Sequence, residues 1–329
     1  MRRKNLRFFK VTRFFVGKRK KICYNGIMRT NDGKNKIQTG LTTDAKTSGL
    51  AFSCLLACFL GLSLAASILF VALKVEEPYP DWALYLQYLL PVAALATASV
   101  WYYAKVSKSP KTVWKEQKCH PKYYAIAIVL QIGLLSLSEL NGLFLTWLER
   151  FGYKAQVSPL PSLNGFGVVG VILTVAVLPA VFEEIFFRGV LLNGCKAFSG
   201  IGAALVCGGI FALYHQNPAQ TIYQFCCGFA FALVALRSGS VLPTVITHFL
   251  NNALIILLTK FGITSYTTPV YIVILCVSIP CLLVALGYLL FVDKRNGDAP
   301  TGTKQDFAFG ALIGIVICAI TWISALFIG

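Results

Sequence analysis

The chain has 329 residues, 57% of them hydrophobic and only 13% charged, with a formal net charge of +17. A soluble domain carries about 25% charged residues, and a membrane β-barrel is built from alternating segments of about ten residues that this sequence lacks. Its apolar runs of about 20 residues have the length that crosses a hydrocarbon core of roughly 30 Å, so the expected fold is all-α: a polytopic transmembrane helical bundle of about 8–9 helices, an integral multi-pass membrane protein.

Residues 1–49 form a basic segment, "MRRKNLRFFKVTRFFVGKRKKICYNGIMRTNDGKNK" and its flank. It holds about half of all Lys and Arg, a pattern also known from nucleic-acid arms and transit peptides. Ahead of membrane helices it reads as a flexible cytoplasmic tail that sets topology and touches anionic lipid. Membrane lipids are therefore expected partners and nucleic acid is not. Residues 50–165 hold three apolar segments, Leu50–Lys74, Trp82–Val106 and Tyr123–Leu148. Residues 166–260 hold four, Val168–Lys196, Gly200–His215, Ala219–Arg237 and Val241–Lys260, and residues 261–329 hold Pro269–Val292 and Phe307–Ile328. Proline and glycine punctuate these segments. The lysine-rich stretch 105–122, Arg237 and "DKRNGDAPTGTK" fall on the side of the tail, and the acidic "VEEPYPD" falls on the other, as the positive-inside rule requires. Most of the eleven cysteines lie inside apolar runs and read as small buried hydrophobes. Gly200, Ala204, Gly208 and Ala212 line one face of the fifth segment, which predicts close approach of another helix, with the fourth or seventh segment as its partner.

Glu183, Glu184 and Arg188 interrupt the fourth segment, "VLPAVFEEIFFRGVLLN". Left unpaired and charged at mid-bilayer, the three would cost on the order of 5–10 kcal/mol. Glu184 and Arg188 are one turn apart and share a face, so they can pair. Glu183 is turned about 100° away and has no cation on its own face, which makes it a candidate general base. A purely structural role, with both acids bonded to Arg188 as helix glue, stays open at this point. Two further polar sets lie on other segments: Phe211 and His215 in "FALYH", and His248, Asn251 and Asn252 in "HFLNN". Each alone could be a satisfied core residue; together they put one acid, two imidazoles and an amide on three helices. Counting from the inner ends at about 1.5 Å per residue puts Glu183 and His215 roughly 20 Å deep but His248 only about 10 Å deep, a mismatch of about two turns. Glu139 in "SLSELNG" reads as a structural residue.

The motifs EExxxR (Glu183 to Arg188), FxxxH (Phe211 to His215) and HxxxN (His248 to Asn252), in this order, resemble the CAAX-protease and bacteriocin-processing family, also called the abortive-infection or CAAX prenyl endopeptidase family. The resemblance covers about Val168–Lys260, including "GFAFALVALRSGSVLPTVITHFLNN" with its Gly-Ser turn. It implies an intramembrane endopeptidase that hydrolyses a peptide bond of a membrane-associated peptide or protein, with a CAAX-like tail or a leader-like or bacteriocin-like segment. Glu183, assisted by His215, would activate water; His248 and Asn252 would stabilise the oxyanion; Glu184, Arg188, Phe211 and Asn251 would support them. Members have also been described as metalloproteases, for which zinc on Glu183, His215 and His248 is the alternative. With no HExxH and with Asn252 present, the metal-free glutamate mechanism is favoured and no cofactor is expected. Two other functions fit parts of the pattern: a proton-coupled transporter, since intramembrane Glu and His also build proton relays, and a non-catalytic bacteriocin immunity protein.

Overall fold

The computed structural model describes residues 22–24, 27–29, 45–106, 119–155, 158–198, 200–263, 266–295 and 302–328. In the N-terminal unit, Ile22–Tyr24 (β1) and Ile27–Arg29 (β2) pair antiparallel, with Cys23 opposite Met28. The rest of the basic segment up to residue 44, and the lysine-rich stretch 107–118, lie outside the described residues.

The larger unit, residues 43–329, is a helical bundle. Among the described residues, eight helices are long and apolar enough to cross a membrane, and a ninth is shorter. In chain order they are α1 (Ala45–Ala72), α2 (Asp81–Lys105), α3 (Lys122–Glu149), α4 (Gly167–Phe198), α5 (Gly200–Tyr214), α6 (Thr221–Ser238), α7 (Leu242–Lys260), α8 (Thr268–Val292) and α9 (Lys304–Ile328). Every expected apolar segment is one of these. At 15 residues, α5 rises only about 22 Å, short of the roughly 30 Å of a bilayer core, and it ends at the FxxxH histidine. Outward-facing residues such as Leu64, Ile68, Leu143, Leu283 and Phe309 are exposed, as lipid-facing side chains are, while the backbone groups are satisfied within the helices. Two segments differ from expectation. α1 begins at Ala45 rather than near Leu50, and α3 is broken at Leu135–Ser136, where Leu135 and Ser136 amides donate to the Ile132 and Gly133 carbonyls in tightened turns.

α1 joins the C-terminal helix to the motif-bearing α4 through two serines used in the same way. The Ser48 hydroxyl donates to the Val190 carbonyl at 2.7 Å and accepts from the Gly194 amide at 3.2 Å, the two groups that a regular turn of α4 would join directly. Ser53 donates to the Gly310 carbonyl at 2.7 Å and accepts from the Gly314 amide at 3.1 Å, stitching α1 to α9. Glycines permit this approach: a Cβ on Gly49 would fall 2.7 Å from the Ala311 amide, and one on Gly310 would fall 2.8 Å from the Leu50 amide.

The small-residue face of α5 packs against α6, not against the expected fourth or seventh segment. A Cβ on Gly208 would lie 2.7 Å from the Phe229 amide, and one on Gly228 would lie 2.9 Å from the Gly208 Cα. The second glycine, on α6, makes the difference: the smallest surfaces meet each other, so the backbones can touch. On one side of the bundle the ends of α3, α6 and α8 are tied by charge. Asp293 accepts from the Tyr123 hydroxyl, from Lys122 Nζ at 3.3 Å and from Arg295 Nη2 at 3.0 Å, and Arg237 Nε donates to the Leu289 carbonyl at 2.9 Å. Among the described residues of the larger unit the cysteines are free thiols.

Replacing Ser48 by Ala leaves Val190 and Gly194 without their bridge and is expected to lower stability by about 1–3 kcal/mol, read as a lower melting temperature in detergent. Ser67→Ala on the same helix, where the exposed hydroxyl only caps the Ser63 carbonyl at 2.9 Å, is expected to leave the melting temperature unchanged.

Candidate active site

α4 departs from regular geometry on both sides of its acids. Ile172–Val177 and Phe187–Leu191 are π-helical, and the intervening α-helical turns, Leu178–Phe186, carry Glu183 and Glu184. Such wide turns shift the side chains that follow and recur at functional sites.

Glu184 and Arg188 pair as their spacing predicts. Arg188 Nη1 lies 2.8 Å from Glu184 Oε1, and both side chains are fully buried. The guanidinium also donates from Nη2 to the Gly228 carbonyl at 3.2 Å. Its Cζ stands 4.5 Å from the Phe211 ring centroid and 5.3 Å from that of Phe231. These π faces and the carbonyl take the place of water around the cation. Phe211, a candidate supporting residue, is thus part of the Arg188 cage.

His248 reaches both acids. Its Nδ1 is 3.0 Å from Glu184 Oε1, and its Nε2 is 3.9 Å from Glu183 Oε2. A carboxylate paired with arginine accepts hydrogen bonds, so Nδ1 carries a proton. Nε2 is then the nitrogen that faces Glu183, beyond hydrogen-bond distance. Glu183 Oε2 is buried with no hydrogen-bond partner among the described residues. Just past the end of α5, His215 Nδ1 is 2.8 Å from the Phe211 carbonyl. A carbonyl only accepts, so Nδ1 is again the protonated nitrogen and Nε2 is left with its lone pair. His215 lies within electrostatic reach of Glu183 and His248. Asn252 Nδ2 donates to the Val175 carbonyl at 3.3 Å, in the first π-helical stretch of α4, and Asn251 sits beside it on α7.

Glu183, Glu184, Arg188, Phe211, His215 and His248 therefore converge from three parts of the chain, with Asn252 one turn beyond His248 on α7. The two-turn mismatch in depth does not exist. α4 has 32 residues, well beyond what one crossing needs, so counting from its inner end overstated the depth of Glu183. Glu139 lies apart from the cluster; it is exposed, and the Tyr271 hydroxyl reaches it. Tyr223 on α6 and Gln131 on α3 were not singled out, yet both bond Asn251. Gln131 had a signal, a lone amide inside "YYAIAIVLQIGLL". Tyr223 had none, because tyrosine is common in membrane helices. Among the described residues no three His, Cys, Asp or Glu side chains are placed to hold a metal ion, Glu183, His215 and His248 included.

The fold and this cluster define a polytopic helical membrane protein with a buried glutamate–histidine centre. Residues 165–254 match the family model of the type II CAAX prenyl endopeptidases, Rce1-like, a stretch that holds all three motifs. The resemblance carried by those motifs is borne out over this segment. No curated protein and no solved structure matches the chain.

Breaking the buried pair should be more harmful than removing it. Arg188→Met strands the Glu184 charge and is expected to cost about 3–5 kcal/mol. The double variant Glu184→Gln/Arg188→Met should recover much of that loss in thermal denaturation of the purified protein.

Proposed function

We propose that the protein is a glutamate-type intramembrane endopeptidase acting on a membrane-associated peptide or protein, with a CAAX-like tail or a leader-like segment as substrate. One observation carries the reading: a single imidazole, His248, spans from the arginine-paired Glu184 to the buried and otherwise unpartnered Glu183. With Arg188 cationic and both acids ionised the cluster has one negative charge in excess, and a proton on His248 makes it neutral, which suits a site removed from water.

In this mechanism Glu183 takes a proton from a water molecule, with His215 Nε2 holding that water in line. The hydroxide oxygen bonds to the scissile carbonyl carbon, whose π electrons move onto oxygen. The oxyanion is met by the free N–H of Asn252 Nδ2 and by the proton at His248 Nε2. Collapse breaks the C–N bond, and the proton on Glu183 passes to the departing amine. Donors already aimed at the developing charge in a dry site need little reorganisation, the main source of catalytic power in such centres. The chain's own residues supply base, orienting imidazole and oxyanion donors, so no metal ion is assigned a role. Lys122, Arg237 and Arg295 meet on one side of the bundle, which the positive-inside rule makes the cytoplasmic side.

Glu183→Gln is expected to lower the rate of peptide cleavage in liposomes by about 10²–10⁴-fold while the protein still folds; full activity in that variant would overturn the proposal. Cleavage by the parent protein is expected to persist in the presence of a strong chelator. Activity lost to the chelator and restored by zinc would favour the metal alternative.

A further inference from the structure

We infer that Tyr223 is a positioning residue for Asn252, acting through Asn251 in a hydrogen-bond relay that crosses from α6 to α7. The inference rests on the reading of Asn252 as an oxyanion donor and adds a residue outside the three motifs. The relay consists of Tyr223 Oη to Asn251 Oδ1 at 2.5 Å, Asn251 Nδ2 to Asn252 Oδ1 at 3.5 Å, and Asn252 Nδ2 to the Val175 carbonyl at 3.3 Å. A second donor, Gln131 Nε2, meets Asn251 Oδ1 at 3.4 Å.

The direction of the relay follows from its two ends. Side-chain amides can be turned over, exchanging donor for acceptor, but a backbone carbonyl cannot. The Val175 carbonyl only accepts, so Asn252 must present its NH₂ there and its oxygen towards Asn251. Asn251 must then present its NH₂ to Asn252 and its oxygen to the other side. That oxygen requires donors, which the Tyr223 hydroxyl and Gln131 supply. With Asn252 Oδ1 held by Asn251 and one N–H held by Val175, the remaining N–H of Asn252 is the one left to face a substrate oxygen. Without the Tyr223 hydroxyl, Asn251 keeps only the longer Gln131 contact. It is then free to turn over, and an inverted Asn251 would offer its oxygen to Asn252 and draw the amide N–H away from the site.

The test is a double-mutant cycle on cleavage of a fluorogenic farnesylated peptide ending in CaaX, in liposomes, under single-turnover conditions. Tyr223→Phe is expected to lower the cleavage rate about tenfold, the size of one well-placed hydrogen bond, with substrate KM and melting temperature unchanged. In the Asn252→Ala background the same substitution is expected to have no further effect, since coupled residues are non-additive. A rate in Tyr223→Phe equal to that of the parent, or an equal loss in both backgrounds, would overturn the relay. Full activity of Asn252→Ala would instead overturn the oxyanion assignment itself. An arm independent of activity uses the side-chain amide NMR signal of Asn252, assigned by its disappearance in Asn252→Ala. That signal is expected to shift in Tyr223→Phe, and an unmoved signal would overturn the relay.

Discussion

Glu184 and Arg188 meet at 2.8 Å with no water against either side chain, and the geometry of the centre follows from that. In a low-dielectric interior the attraction between them is large, but so is the cost of removing both from water. The pair therefore depends on compensating groups packed around it. Those groups come from different helices: the Gly228 carbonyl from α6, His248 from α7 and the Phe211 ring from α5. A single desolvated pair on α4 thus requires three neighbouring helices to meet at one level. Gly228 has to be glycine for this, because a Cβ there would press on Gly208 and Phe211 and push its carbonyl away from the guanidinium.

The same pair gives the two acids unequal duties. One oxygen of Glu184, Oε1, is shared by Arg188 Nη1 and His248 Nδ1, and through His248 the pair sets which imidazole nitrogen faces Glu183. Glu183 is left buried with an oxygen that nothing else satisfies, the condition in which a carboxylate is best placed to take a proton from water. The helices outside the matched segment also shape this centre. Ser48 of α1 occupies the backbone ladder of α4 at Val190 and Gly194, at the end of the π-helical stretch that carries Arg188. Ser53 repeats the device on α9. Wide helical turns leave backbone groups poorly paired, and a hydroxyl from a neighbour stabilises them without water. The N- and C-terminal helices therefore act as a brace behind the motif helix.

The nine helices, the Glu184–Arg188 pair and the partition of polar residues among α4, α5 and α7 were all legible in the sequence. Each depends on a property that travels along the chain: the length of an apolar run, or the 3.6-residue period that sets Arg188 one turn from Glu184 and Asn252 one turn from His248. The partner of the α5 small-residue face was not legible, because the sequence marks a smooth surface without marking what fills it. Depth counted from helix ends failed as well, since α4 is longer than one crossing requires and its ends say little about its middle.

The membrane-spanning character and the unequal azimuths of Glu183 and Glu184 were thus determined by the sequence alone. They follow from hydrophobicity and helical periodicity, which are local. Only the tertiary structure decided that one histidine bridges both acids, that Ser48 mends the ladder of α4, and that Tyr223 and Gln131 stand behind Asn251. These are contacts between residues tens to hundreds of positions apart. They are selected by the demand that every polar group in a water-poor interior find a partner, and the sequence states that demand without saying which partner meets it.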